Sequence, residues 1–211
     1  MTITVHYWTD FCSPYSYMGV HSIKKRIADD PELANIKLVP HAYETEPRAR
    51  ADGRFTIKHI YPYRYHVEQW EADQHFESVA RLAKKHGIDD MNYESSLVTN
   101  SRDAHRLAKY ARKHRVDIEE AIMHANFCEN RNIGDKEVLA DIAEEAGLNR
   151  EEVKQMLEGD EFRDMVVADE TYAFQNKIGE VPLFVIGKKR FDGEACVDHM
   201  IAYLKALPDE E

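Results

Sequence analysis

The sequence predicts an α/β fold whose two sheet-forming halves are separated by a long all-helical insertion. Three observations carry this. Near the N-terminus Ile3, Val5, Tyr7 and Phe11 alternate with polar residues, the period of a half-buried strand, and a helical pattern follows. From His66 to about Ile178 the apolar residues recur at helical spacing. At Gly179-Glu180-Val181-Pro182-Leu183-Phe184-Val185-Ile186 strand character returns. Residues 1–45 and 177–211 then form one split domain, and 46–176 the helical insertion.

Taken in order, the first strand runs from Met1 to about Trp8 and enters a loop at Asp10. Ser13 followed by Pro14 starts a helix: the hydroxyl can cap an orphan amide, and proline in the first turn forfeits no hydrogen bond. Met18, Ile23 and Ile27 mark its buried face. Ser13 and Ser16 stand one turn apart at its positive end, where a thiolate or oxyanion would be favoured. Asp29-Asp30-Pro31-Glu32 makes a polar turn, and Ile36, Leu38 and Val39 a second strand ending near Pro40.

From His41 to Tyr65 there is no clear period, which predicts a long loop with at most one irregular turn. The insertion helices follow. Phe76, Val79, Ala80 and Ala83 share one face, with Gly87 as a stop. Ala104, Leu107 and Ala111 form the next face, after Ser101, and Ile118, Ala121, Ile122 and Ala125 another. Asp135 caps a helix carrying Val138, Leu139 and Ile142 that stops at Gly147. Asn149 with Glu152 forms a capping box for a short fifth. The sixth, from about Asp160 to Asn176, should turn Phe162, Met165, Val166 and Tyr172 inward. Beyond the returning strand, Gly187-Lys188-Lys189 is a tight turn, Arg190-Phe191 a short strand, and Glu194 to Leu207 a helix burying Val197, Ile201 and Leu204.

The formal charge of -11 argues against a nucleic-acid binder. No apolar run reaches membrane-spanning length, and the N-terminus lacks the basic-then-apolar pattern of a signal, so the expectation is a cytoplasmic protein with no membrane partner. Three cysteines, Cys12, Cys128 and Cys196, are too few and scattered for a disulfide scaffold. Eleven histidines occur without any metal-binding spacing, so no metal is expected.

The serine-capped helix start has the layout of a thioredoxin-type active site in which Ser13-Pro14-Tyr15-Ser16 replaces C-x-x-C. The chain resembles the DsbA superfamily, and so a thioredoxin fold with an all-helical insertion is implied. Asn100-Ser101-Arg102-Asp103-Ala104-His105-Arg106-Leu107, Asn132-Ile133-Gly134-Asp135-Lys136-Glu137-Val138-Leu139 and Glu145-Ala146-Gly147-Leu148 are similar to its FrnE branch. The Ser-Pro-Tyr-Ser motif is similar to that of kappa-class glutathione transferases and 2-hydroxychromene-2-carboxylate isomerases, in which the first serine hydrogen-bonds the glutathione sulfur.

The isomerase resemblance implies that Ser13 holds the sulfur of glutathione or another small thiol, with Ser16, Pro14 and Tyr15 around it. The superfamily resemblance implies a cis Val181-Pro182 bond opposite Ser13, leaving the Val181 backbone to pair with an extended peptide, where the local pattern alone gives a trans proline beginning an edge strand. Asn100 would reach the cleft, or else cap its helix. Serine cannot exchange disulfides, so the nucleophile would belong to the cofactor, acting on a small electrophile. The FrnE resemblance implies instead a thiol oxidoreductase working through Cys12 on a substrate thiol, with Cys128 as resolving partner. Cys12 is a buried structural thiol or, if it faces the cleft, one whose pKa the helix start lowers. A third reading is a redox-inactive binding or chaperone-like protein.

Both resemblances break at particular residues. The FrnE cysteines are absent, and the acidic and basic pair that holds the far end of glutathione is missing after Gly193, where Glu194, Ala195 and Cys196 follow, or displaced to Asp198. Cys196 reads as structural, Tyr61, Tyr63 and Tyr65 as a pocket wall or loop packing, and a homodimer is compatible with the fold.

Overall fold

Alternating burial makes strand β1 (Ile3–Thr9) the spine of the molecule, with Val5 and Tyr7 sealed from solvent on one face. A computed structural model describes residues 2–207, so the expectations for Met1 and for 208–211 lie outside the described residues. β1 pairs in parallel with β2 (Ile36–Ala42), Ile3 opposite Ile36 and Thr9 opposite Ala42. On its other side it pairs antiparallel with β3 (Leu183–Ile186), Trp8 opposite Leu183, and β3 pairs with β4 (Lys189–Asp192). The order β2-β1-β3-β4, with one parallel and two antiparallel junctions, is the thioredoxin fold.

Helix α1 (Pro14–Asp29) makes the crossover from β1 to β2 and buries Tyr17, Met18, Val20 and Ile23 in the main core. Gly19 is required there: a Cβ would lie 2.8 Å from Pro182 Cγ and 3.3 Å from Phe184 Cζ. The last helix, α9 (Val197–Lys205), covers the same core with Val197, Ile201 and Leu204, after a short 3-10 turn over Glu194–Cys196.

Between β2 and β3 the chain is helical: α2 (Ile57–Tyr65), α3 (Gln69–Lys85), α4 (Arg102–Lys113), α5 (Glu119–Phe127), α6 (Lys136–Glu145), α7 (Arg150–Glu158) and α8 (Arg163–Gln175). Asp135 accepts from the Glu137 amide, and Gly147 adopts φ +87 after α6, as expected; of the expected capping box, the half in which Asn149 accepts from the Glu152 amide is in place. Among the described residues no helix is long and apolar enough to cross a membrane.

Three expectations need correction. The stretch 41–65 is not all loop, because Thr56 caps α2, which tolerates Pro62 by docking Ile57 in a satellite core with Ala72 and Phe76. β2 runs past Pro40 to Ala42. Being an edge strand, it has one side on which proline's missing donor costs no ladder bond. In α8 only Val166 and Ala173 are fully buried, whereas Met165 and Tyr172 are 52% and 51% exposed. Phe162 is the N-cap, with φ 63. The half-buried carboxylates Asp169 and Glu170 share the inward stripe with Val166 and Ala173, a pattern that apolar periodicity cannot reveal.

Candidate functional site

The loop from β1 into α1 is held by its own polar groups. Asp10, completely buried, accepts from the Cys12 amide at 3.1 Å and the Thr45 amide at 2.7 Å, and also from the Thr45 hydroxyl. Ser13 adopts extended geometry at the N-cap and accepts from the Ser16 amide at 3.1 Å, with Pro14 in the first turn. Ser16 is wholly buried, and its hydroxyl accepts from the Asp10 amide at 3.2 Å. From outside, Asn126 donates to the Phe11 carbonyl at 2.9 Å. Both ends of the motif are thereby fixed.

This loop forms one wall of a cavity of about 270 Å³. Cys12, Ser13, Pro14 and Tyr15 line that wall, and Thr45, Glu46, Arg64, Tyr65, Tyr93 and Phe127 are among the residues facing them. Arg64 pairs with Glu46 at 2.7 Å across the cavity's lining. Burial, then Glu194 and Tyr65, push the Tyr15 phenol above its ordinary value.

The remaining sequence candidates divide. Ser16 serves the loop from beneath and is not in the lining. Val181-Pro182 is cis, and Pro182 packs on α1 beside Gly19 outside the cavity wall. Asn100 also stands outside the wall. It donates to Glu44 at 2.8 Å and accepts from the Arg102 amide at 2.9 Å, at the start of α4. Asp198 faces outward, paired with Arg26 at 2.8 Å.

The cysteines depart from the expectation of an acidic thiol. Cys12 lines the cavity, yet burial and then the Asp10 carboxylate push its thiol well above the ordinary value, and Sγ donates to the Thr99 carbonyl at 3.5 Å. Loss of solvent, with the buried anion next to it, opposes the favourable helix start. Cys12 and Cys128 are free thiols, not a disulfide. Burial and Asp90 raise Cys128 to about 12, and burial and Asp192 raise Cys196 to about 12.

Sequence reasoning missed the acids beneath the loop. Burial alone would raise Asp10, but His105, with Nε2 3.7 Å away, and the Ser101 and Thr45 hydroxyls hold it below the usual carboxylate range. Glu170 is pushed up to about 7 by burial and by Glu44. The one readable signal was Asp10 two residues before the Cys12 amide, an Asx-turn spacing.

A capped helix start following the central strand, with a cis proline packed on the same helix, places this chain among the thioredoxin-fold proteins, with serine at both motif positions. Residues 4–205 match the DSBA-like thioredoxin domain family, and the chain belongs to that family. Its fold is similar to that of a probable DsbA oxidoreductase from Streptomyces coelicolor, at TM-score 0.89 and 24% identity over 99% of this chain and 93% of that one. A 2-hydroxychromene-2-carboxylate isomerase superposes at TM-score 0.67 and 16% identity, covering 96% and 94%. The cytosolic disulfide reductase DsbM from Pseudomonas aeruginosa, solved with GSH, superposes at 0.63 and 14% identity, covering 96% and 100%.

Proposed function

We propose that this DsbA-family chain is a small-thiol-dependent isomerase or transferase, with glutathione or a similar thiol ionised at Ser13 and a small electrophile as substrate. The observation that carries this reading is the state of the Ser13 hydroxyl. Its oxygen accepts from the Ser16 amide, which leaves its proton to donate to a sulfur in the cavity. The helix start adds a favourable field for a thiolate. A cavity of about 270 Å³ suits a small thiol. The thiol-binding and isomerase relatives support the same class. A reducing compartment fits the three free cysteines and the cytosolic relative.

In this reading Ser13 orients and stabilises the attacking sulfur, Tyr15 and Pro14 shape the wall beside it, and the Val181 backbone pairs with the peptide part of the thiol. The alternative, a thiol oxidoreductase using Cys12, rests on that sulfur lining the same cavity, but its raised pKa disfavours the thiolate it needs.

Calorimetric titration with reduced glutathione separates the readings. Binding should weaken about tenfold or more in Ser13→Ala, consistent with the loss of one hydrogen bond to a charged group. It should also be lost in Ser13→Asp, which caps the helix as well as serine but cannot donate to a thiolate. Absence of binding to the wild type defeats the proposal, and insulin reduction that vanishes in Cys12→Ala establishes the alternative.

A further inference from the structure

The C-terminal end of α5 carries a cluster that the proposed chemistry does not use. His124 and Cys128 are four residues apart, and Cys128, the C-cap, keeps near-helical dihedrals, so the two side chains lie on one face of the last turn. Asp90, from the loop after α3, reaches the same point. His124 Nε2 stands 3.3 Å from Asp90 Oδ2, and Cys128 Sγ lies beside both. One sulfur, one imidazole nitrogen and one carboxylate oxygen thus lie within 4.8 Å of one another.

That spacing is close to what an ion needs. Bonds of about 2.0–2.3 Å to tetrahedral zinc put ligand atoms roughly 3.3–3.8 Å apart, within reach of small side-chain rotations. A second feature supports the assignment. The other ring nitrogen, His124 Nδ1, stands 3.5 Å from Glu129 Oε1, the carboxylate–imidazole contact that orients a metal-bound histidine. Glu129 is held in turn by Arg131 at 3.3 Å. Asp90 is exposed, leaving an entry path for an ion.

We propose that Asp90, His124 and Cys128 form a binding site for a thiophilic divalent cation of the zinc type, with Glu129 orienting His124 and a water completing the fourth position. Mixed sulfur, nitrogen and oxygen donors exclude magnesium and calcium as preferred occupants. The site departs from the sequence expectation of no metal, because two of its ligands are adjacent only through helix geometry and the third only through the fold. The ion would pin the end of α5, where Asn126 holds the Phe11 carbonyl and Phe127 lines the cavity. Cys128 is then a ligand, not a resolving thiol for Cys12.

The test is titration of the full chain with Co²⁺, in a non-thiol reductant, followed by displacement with Zn²⁺. Expected is one equivalent of Co²⁺ giving a sulfur-to-cobalt charge-transfer band and four-coordinate visible bands, both removed by Zn²⁺. Cys128→Ser should abolish the charge-transfer band, and Cys12→Ser and Cys196→Ser should preserve it. Asp90→Asn, on the exposed rim, should weaken binding without endangering the fold, and Glu129→Gln should weaken it about tenfold. No band in the wild type, or a band that survives in Cys128→Ser, overturns the proposal.

Discussion

The cavity at the start of α1 and a larger one of about 820 Å³ along the open edge of β2 differ in what their polar groups are already doing. The larger is lined by Lys24, Lys109 and Arg112, which are engaged, and also by Lys37, Lys113 and Arg115. Lys24 pairs with Asp117 at 2.7 Å and Glu119 at 3.2 Å, Lys109 with Asp169, and Arg112 donates to the Leu38 carbonyl at 2.7 Å. Arg112 thereby satisfies an acceptor on an edge strand, a structural duty. In the smaller cavity the Ser13 proton and the Tyr15 amide, one of those a helix start leaves without an intrahelical partner, remain available. Volume points to the first cavity, and a serine-capped helix start in a rigid frame points to the second, which is why the second carries the proposed chemistry.

The strongest way to break this contrast is to remove the frame. Asp10→Asn keeps the shape but puts an amide NH2 where a carboxylate oxygen accepts amide or hydroxyl protons from Cys12 and Thr45. A loss of about 3 kcal/mol is expected, read as a lowered urea midpoint with unchanged slope, and thiol binding should fall with it.

Gly19→Ala tests whether Pro182 must sit close against α1. The added Cβ would stand 2.8 Å from a proline ring that cannot rotate away. Alanine gains helix propensity, so a net cost of about 1–2 kcal/mol is expected, with weaker glutathione binding as Pro182 shifts. A thermal scan and calorimetry of the same variant check both parts.

Lys109→Met probes the larger cavity and sharpens the comparison from the other side. Asp169 keeps His41 at 2.8 Å and the Ala42 amide at 2.9 Å, so the cost should stay near ~1 kcal/mol. Glutathione affinity should not change. A loss of thiol binding here would move the ligand to the β2 edge.

The smallest effect is a pH dependence at Glu170, which faces Glu44 and is raised to about 7. Since the folded chain holds this proton more tightly than the unfolded chain, its contribution favours folding below the ordinary carboxylate range and is lost as pH rises through about 7. Glu170→Gln should therefore melt like the wild type at pH 5 and above it at pH 8. Water screens this half-buried pair, so the gain should not exceed about 2–4 °C. Equal melting temperatures at pH 8 would show that Glu170 is not raised in the folded chain.

Residues that act on near neighbours were legible in the chain. Ser13, Asp135 and Asn149 cap helices through amides two or three positions on, and the period-two run through Val5 and Tyr7 specifies β1 from its own burial. The resemblance carried by Ser-Pro-Tyr-Ser and the long helical segments anticipated the cis Val181-Pro182 bond, which local pattern alone does not indicate.

Other features were settled only in three dimensions. α2 holds its form through Ile57 on Ala72 and Phe76, not through its own propensity, and α8 turns Asp169 and Glu170 inward because β2 and Glu44 supply their partners. The same holds for Cys12: a helix start next to it promises an acidic thiol, but lost solvent and then the buried Asp10 carboxylate reverse the sign. Asp90 and His124 are far apart in the chain, and only packing brings them to 3.3 Å. Sequence by itself determined the elements, their caps and the place of the serine motif, because hydrogen bonds one turn apart and alternating burial are short-range. The tertiary structure decided protonation, cavity lining and the Asp90, His124 and Cys128 cluster, because electrostatics and coordination depend on distances that no local pattern encodes.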